Sequence, residues 1–393
     1  MYQENLFKPV GPSRNVCDQP FNGTFPSDSL PIPPKRILAR NIDYDYFARH
    51  MNKLSDFYCE IFNSADSVDA IGPAWTRTRA AEFLAARLRR LGVNIALLHD
   101  SQLIGLYLNL IVPKATGIAL VEGELALHPD VRINRLGTEL VHLSKKCAEH
   151  ICRYSFGEDP VVDETTTYRR PAFPKQWWLR VGYHPAPRYE VNLTALPGHQ
   201  RPRGVKVHAA TKGTLPTIAA FMCKSQSFDL GASRWSFGRA EAYLEFMFRQ
   251  NPSLIRIAAT EDEIVGLIVA DLIPRRCGVY LGQTLVVVRP NVTTDVDEIC
   301  QGLMIDLAQA GSRLSEKIYG VSPLGIEMTA PLGDALRGRL SAINEDQELI
   351  DMTIDHDLLM SALRPRQPPR FQLVEPVEPR AVTSGRSLRR RHH

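Results

Sequence analysis

The residues that could do chemistry gather where an apolar run ending at Leu127 gives way to His128, Pro129 and Asp130. The chain then continues as Val131, Arg132, Ile133, Asn134, Arg135, Leu136, Gly137 and Thr138. Leu136, Leu140, Leu143 and Cys147 recur on one helical face, so a helix starts within this turn and lays its apolar stripe on a sheet. The first amides of a helix have no intrahelical partner and point, with the positive end of the dipole, toward the preceding strand. Arg132 and Arg135 add charge of the same sign. The chemistry on offer is anion binding, and a diphosphate matches the donors available. Strand-to-helix junctions of this kind are common, and the spacing alone does not name the anion.

Glu122 and Glu124 lie two apart on the strand that leads into the turn, so regular alternation puts them on one face, opposite Val121, Gly123 and Leu125. Either carboxylate could take a proton from an ammonium group or hold a cationic substrate. The plainer alternative is a strand carboxylate facing solvent. His128 is a further candidate base, or a surface histidine before a proline. His142, Cys147, His150 and Cys152 are of metal-ligand type but do not share one helical face, and no metal site is expected.

Elements that would hold these residues follow from periodicity and turn chemistry. A strand at 36–39 leads into a helix over 41–62, where Tyr46, Phe47, Met51, Leu54 and Tyr58 recur at helical spacing. A second helix spans 76–91, capped by Thr76 or Thr78 and closed by Gly92. Strands at 93–98, 103–112 and 117–127 form a meander, with turns at 99–102 and 113–114. The segment from 204 repeats this order: helices at 215–226 and 239–250, strands at 255–260, 264–273 and 279–288, then a long helix over 295–314. Repetition of the order predicts a duplicated domain.

The stretch from Leu127 through Pro129 and Arg132 to Gly137 resembles the acetyl-coenzyme A signature of the GNAT superfamily of N-acetyltransferases, which ends the fourth strand and starts the third helix. Arg135 stands where that family has its first glycine. Trp177, Trp178, Leu179, Arg180, Val181, Gly182 and Tyr183 are similar to a late segment of the same family. The resemblance implies an α/β (α+β mixed) fold of two tandem GNAT-like domains, each a mixed, mostly antiparallel sheet flanked by helices. It implies acetyl-CoA or another acyl-CoA as donor, held by Arg132, Ile133, Asn134, Arg135, Leu136, Gly137 and Thr138. The backbone around Ala126 and Leu127, where the fourth strand would bulge, would polarise the thioester carbonyl. The acceptor would be an amine, small molecule or protein, that attacks directly, with Glu122 or Glu124 as base. The family's acid is a tyrosine; Trp178 takes its place here, leaving Tyr183 and Tyr168 as nearby substitutes. A catalytically silent acyl-CoA sensor or protein-interaction module is the alternative on the same fold.

In the second half, Val286 to Pro290 occupies the place of the fourth strand and its proline, but Asn291 to Asp297 supplies neither the arginine nor the glycines. Two carboxylates, Asp295 and Asp297, stand where a diphosphate would sit, so this half is expected to be a degenerate partner.

Composition bounds the rest. The chain has 393 residues, 44% of them hydrophobic and 23% charged, and no apolar run reaches membrane-spanning length. A net charge of +4, partly in Arg386, Arg389, Arg390 and Arg391, argues against a dedicated nucleic-acid surface. The seven cysteines are odd in number and scattered, so no disulfide framework is expected; with no secretory signal, the expected location is the cytoplasm. No P-loop, Rossmann fingerprint or Gly-x-Ser-x-Gly occurs. Proline-rich composition predicts a mobile arm at 1–36 and a mobile basic tail at 363–393. Between them lie an acyl-CoA-binding domain at 37–198, a linker at 199–203 and the degenerate domain at 204–362. The oligomeric state and the acceptor are not legible.

Overall fold

A computed structural model describes residues 37–64, 74–131, 135–168, 173–196, 204–227, 235–289, 295–337, 339, 342–364 and 372–373. The expected arm at 1–36 and linker at 199–203 lie outside the described residues, as does most of the tail. The first half runs β1 (Ile37–Asn41), α1 (Tyr44–Asn63), α2 (Arg77–Leu88), β2 (Gly92–His99), β3 (Gln102–Lys114), β4 (Gly117–Leu127), α3 (Leu136–Phe156), β5 (Pro160–Tyr168), α4 (Phe173–Val181) and β6 (His184–Asn192). The second runs β7 (Lys206–Ala209), α5 (Leu215–Lys224), β8 (Gln226–Ser227), α6 (Phe237–Gln250), β9 (Ile255–Ala259), β10 (Ile264–Pro274), β11 (Val279–Val288), α7 (Val296–Tyr319), β12 (Gly325–Met328), α8 (Ala330–Leu336), β13 (Ile343–Asp355) and α9 (His356–Leu363). Within the tail expected to be mobile, β14 (Gln372–Leu373) pairs in parallel with β1.

Local chemistry sets the element ends. Asp43 caps α1 by accepting from the Tyr46 amide at 2.7 Å, and Thr76 caps α2 by accepting from the Arg79 amide at 3.2 Å. Asp100 and Ser101, both at positive φ, close the two-residue turn between β2 and β3. Each strand of the first meander is apolar on both faces because helices cover both sides. Tyr107, Ile111 and Leu120 face α3, while Ala96, Leu106, Leu108 and Ala126 face α1 and α2.

The two halves share one sheet rather than owning one each. Its order is β14-β1-β2-β3-β4-β5-β13-β6-β12-β11-β10-β9-β7, with β8 attached to β11 off this path. The last strand of each half has crossed to the other. Strand β13 runs antiparallel to β5 from Leu349–Tyr168 to Asp355–Val162, and β6 runs antiparallel to β12 from Gly325–Asn192 to Met328–Tyr189. The exchanged strands also pair with each other. Ile350, Met352 and Ile354 of β13 thereby enter the core of the first half, a burial that stabilises by roughly 2 kcal/mol per side chain.

A buried charge relay locks the exchange on the α3 face. Lys145 of α3 pairs with Asp163 of β5, both fully buried. His356, which starts α9, places Nδ1 2.5 Å from Asp163 and Nε2 3.3 Å from Glu149 of α3. With a carboxylate at each nitrogen the ring donates twice, as an imidazolium. Burial alone would lower its pKa, but the hydrogen bonds to Asp163 and Glu149 prevail and raise it to about 9.

His356 has a folded pKa above its unfolded value of 6.5, so its stabilisation is complete below that pH and is lost as pH rises through about 9. In urea titrations, His356→Ala is expected to cost on the order of 3 kcal/mol at pH 6, and the gap from the unmodified chain should narrow by pH 10. The strand exchange carries an expectation of its own. Residues 37–198 expressed alone lack β13 and should not yield a folded monomer, whereas coexpression with 204–393 should recover a copurifying, cooperatively melting pair.

Candidate functional site

The site forms where β4 parts from β5. These parallel strands pair from Ile118–Pro160 to Val121–Glu164, and the pairing stops there. At that point the register of β4 on β3 also shifts: Asn109 faces Glu122 and Leu108 faces Glu124, leaving Gly123 as an extra residue. A bulge bends a strand and re-aims the residues beyond it, and glycine bends at least cost. Residues 122–127 therefore continue beside β3 while diverging from β5, and a wedge opens toward the start of α3.

The bulge lies at Gly123 and not, as expected, around Ala126 and Leu127. It also breaks the two-residue alternation that was to place Glu122 and Glu124 on one face, since their register partners are neighbours on β3. Glu124 pairs with Leu108, which belongs to the α1 and α2 side of the sheet, and its carboxylate is half-buried. The Glu122 side chain lies outside the described residues. Ala126 is fully buried in the α1 and α2 core.

At the far end of the wedge α3 begins without a side-chain cap. Its N-cap residue is Arg135, exposed and left-handed at φ 73°, a conformation that costs a non-glycine residue about 1 kcal/mol or more. A glycine would take this position at lower cost, because the chain must turn through positive φ to enter the helix. Leu136 is buried, and Gly137 and Thr138 are half-buried. A β-carbon on Gly137 would meet Leu127 Cδ1 at 3.2 Å and Leu125 Cδ2 at 3.6 Å, so glycine lets the helix start press on the strand end. Arg132, Ile133 and Asn134 lie outside the described residues.

Of the other candidates, Tyr183 is 2% exposed, its ring edge-on to Trp178 with centroids 4.8 Å apart, inside the core beneath α3. The side chain of Tyr168 lies outside the described residues. His128 sits 3.5 Å from Glu60 of α1.

Around Glu124 the structure assembles a charge cluster that sequence reasoning missed, because its members come from both halves. Arg87, at the end of α2, feels the charge of Glu124, as does Arg275 after β10. Arg275 donates to Glu327 of β12 at 2.8 and 3.1 Å, and Arg188 of β6 bridges Glu327 at 2.5 Å and Asp351 of β13 at 2.8 Å. Burial would raise the Glu327 pKa, but Arg188 and Arg275 hold it below the usual carboxylate value. Arg90 pairs with Asp271 of β10, which Asn251 also contacts.

The equivalent place in the second half is closed. Strand β11 also shifts register, between the Leu285–Val269 and Gly282–Asp271 pairs, so the bulge is repeated. There, however, β8 lies along the departing edge, with Ser227 on Val287 and Gln226 on Val288. The following helix is capped by its own carboxylate, Asp295 accepting from the Asp297 amide at 2.8 Å, and Asp297 and Glu298 occupy the first turn. Residues 290–294 lie outside the described residues.

No family model and no curated protein sequence matches the chain. Among solved structures it is similar to a GCN5-related N-acetyltransferase from Sphaerobacter thermophilus, with 14% identity over 84% of this chain and 97% of that chain and a TM-score of 0.49. It is similar to a tandem GNAT protein from the clavulanic acid biosynthesis pathway, with 12% identity over 82% and 99% and a TM-score of 0.49. It is also similar to a GNAT-family acetyltransferase from Colwellia psychrerythraea, with 10% identity over 80% and 99% and a TM-score of 0.42. The fold is a mixed α/β sheet flanked by helices, with a similar element order in each half.

Proposed function

We propose that the first half is an acyl-CoA-dependent N-acyltransferase site, moving an acetyl or short acyl group to a primary amine, and that the second half is its structural partner. The observation that carries this reading is the contrast between two equivalent places. In the first half, a bulged strand diverges from its neighbour toward a helix without a side-chain cap; in the second, β8 and Asp295 fill the same positions. In this reading the pyrophosphate sits against Arg132, Ile133, Asn134, Arg135, Leu136, Gly137 and Thr138, where helix dipole and arginine charge favour it. The pantetheine arm follows β4 past Leu127 and Ala126. The thioester carbonyl then comes to the amides at the Gly123 bulge, which replaces Ala126 and Leu127 as the place where the oxygen is polarised.

Glu124 is the base. It takes a proton from the ammonium of the acceptor; the freed nitrogen attacks the thioester carbon, the carbon–sulfur bond breaks, and coenzyme A leaves as a thiolate that receives, through water, the second proton the nitrogen sheds as the amide forms. A thiol of ordinary acidity leaves without a dedicated acid, and the buried Tyr183 then serves packing. A second reading, an acyl-CoA sensor that never turns over, draws support from Trp178 in the place of the family's tyrosine and from the strained Arg135.

Two measurements test this. The intact chain is expected to bind acetyl-CoA in calorimetry, and Gly137→Trp, which forces the helix start off Leu127, to weaken binding at least tenfold. No binding by the intact chain overturns both readings. Glu124→Gln is expected to lower kcat by about 100-fold while acetyl-CoA affinity holds; a fully active Glu124→Gln removes Glu124 as the base.

A further inference from the structure

Arg87 is a buried group that the proposed reaction does not use. It projects from the end of α2, is 6% exposed, and its Nε and Nη1 atoms are buried without a hydrogen-bond partner among the described residues. Its guanidinium lies 5.5 Å from the ring centroid of Phe83, which supplies no acceptor. The neighbouring arginines are satisfied: Arg90 by Asp271, and Arg275 by Glu327. Arg87 thus adds a third cation to a buried cluster. Burial first, then Arg90 and Arg275, disfavour its charge, while Glu124 favours it. A buried cation with idle donors is costly unless an anion or ordered water completes it.

We infer that Arg87 is the subsite for a carboxylate on the acceptor, which makes the acceptor an amino acid or a molecule ending in one. The inference rests on the acyltransferase reading of the wedge. The zwitterion matches the pair of charges at this place: the carboxylate accepts hydrogen bonds from Arg87 Nε and Nη1, and the ammonium lies toward Glu124, the base. Both belong to the side of the sheet that α1 and α2 cover, away from α3, so acceptor and coenzyme approach the reacting carbon from opposite faces. Arg275, with its side chain 23% exposed, and the half-buried Glu124 mark the way in. A buried arginine discriminates strongly, because an amine lacking the carboxylate leaves its donors unpaired.

The test uses the full chain with acetyl-CoA and the twenty common amino acids, each set against its decarboxylated amine, with phosphoethanolamine as the phosphate-bearing arm. At least one amino acid is expected to show kcat/KM tenfold or more above its amine. Arg87→Met should raise KM for that amino acid more than tenfold, with a smaller change in kcat and unchanged acetyl-CoA affinity, and Arg87→Lys should recover part of the loss. Equal use of amino acids and amines, or a preference that survives in Arg87→Met, overturns the inference and leaves Arg87 to water. Preference for phosphoethanolamine over every amino acid overturns the carboxylate assignment. Should the intact chain bind no acetyl-CoA, the acyltransferase reading fails by itself. Calorimetry of the amino acids against the intact chain and Arg87→Lys then decides the subsite separately: weaker binding by the variant upholds it, and no binding by either overturns it.

Discussion

The exchange of β6 and β13 is the constraint on which the rest of the structure depends. A fifth strand that diverges from the fourth opens a wedge, but its other edge must still be paired, since an unpaired edge invites other chains. Strand β13 supplies that pairing for β5, and β6 supplies it for β12. Each half therefore completes the other's sheet along its fifth strand.

Two buried ionic networks sit on opposite faces of this junction. On the α3 face, Lys145, Asp163, His356 and Glu149 tie α9 to the first half. On the other face, Arg188, Glu327, Asp351 and Arg275 draw residues from β6, β12, β13 and the end of β10 together. Networks of this kind contribute little net stability, because desolvation offsets most of the Coulombic gain; misplacing one partner, however, is costly. A one-residue slip of β13 would turn Asp351 toward the apolar α3 core and Met352 toward Arg188, so these charges specify register where the hydrophobic pattern of the exchanged strands is thin.

Both halves share the bulge, but the segments beyond it differ. The bulge belongs to the geometry of the sheet and recurs on β4 and β11. The differences are local: two residues of β8, and carboxylates at the first turn of α7 in place of arginine and glycine. The same backbone thus presents a helix start without a side-chain cap in one half and a self-capped one in the other.

Periodicity and caps made much of the fold legible, because such signals are local. The span of β4 at 117–127, the cap at Thr76 and the order of both meanders arise from side chains within a few residues of one another. So do the starts of α3 near Leu136 and of α7 near Asp295, which the residues themselves declare. The position of the bulge was not legible: an extra residue changes no composition, and only pairing with Leu108 and Asn109 reveals that Glu122 and Glu124 do not alternate as they read. Nor could the sequence disclose that β13 sits beside β5, or that Arg87, Glu124 and Arg275 converge, since those contacts join residues far apart along the chain. Local chemistry by itself determined which segments are helices and strands and where their caps fall. Only the tertiary structure decided which strand neighbours which, and hence which charges face one another across the wedge, because pairing energies between distant segments depend on a chain path that no local window contains.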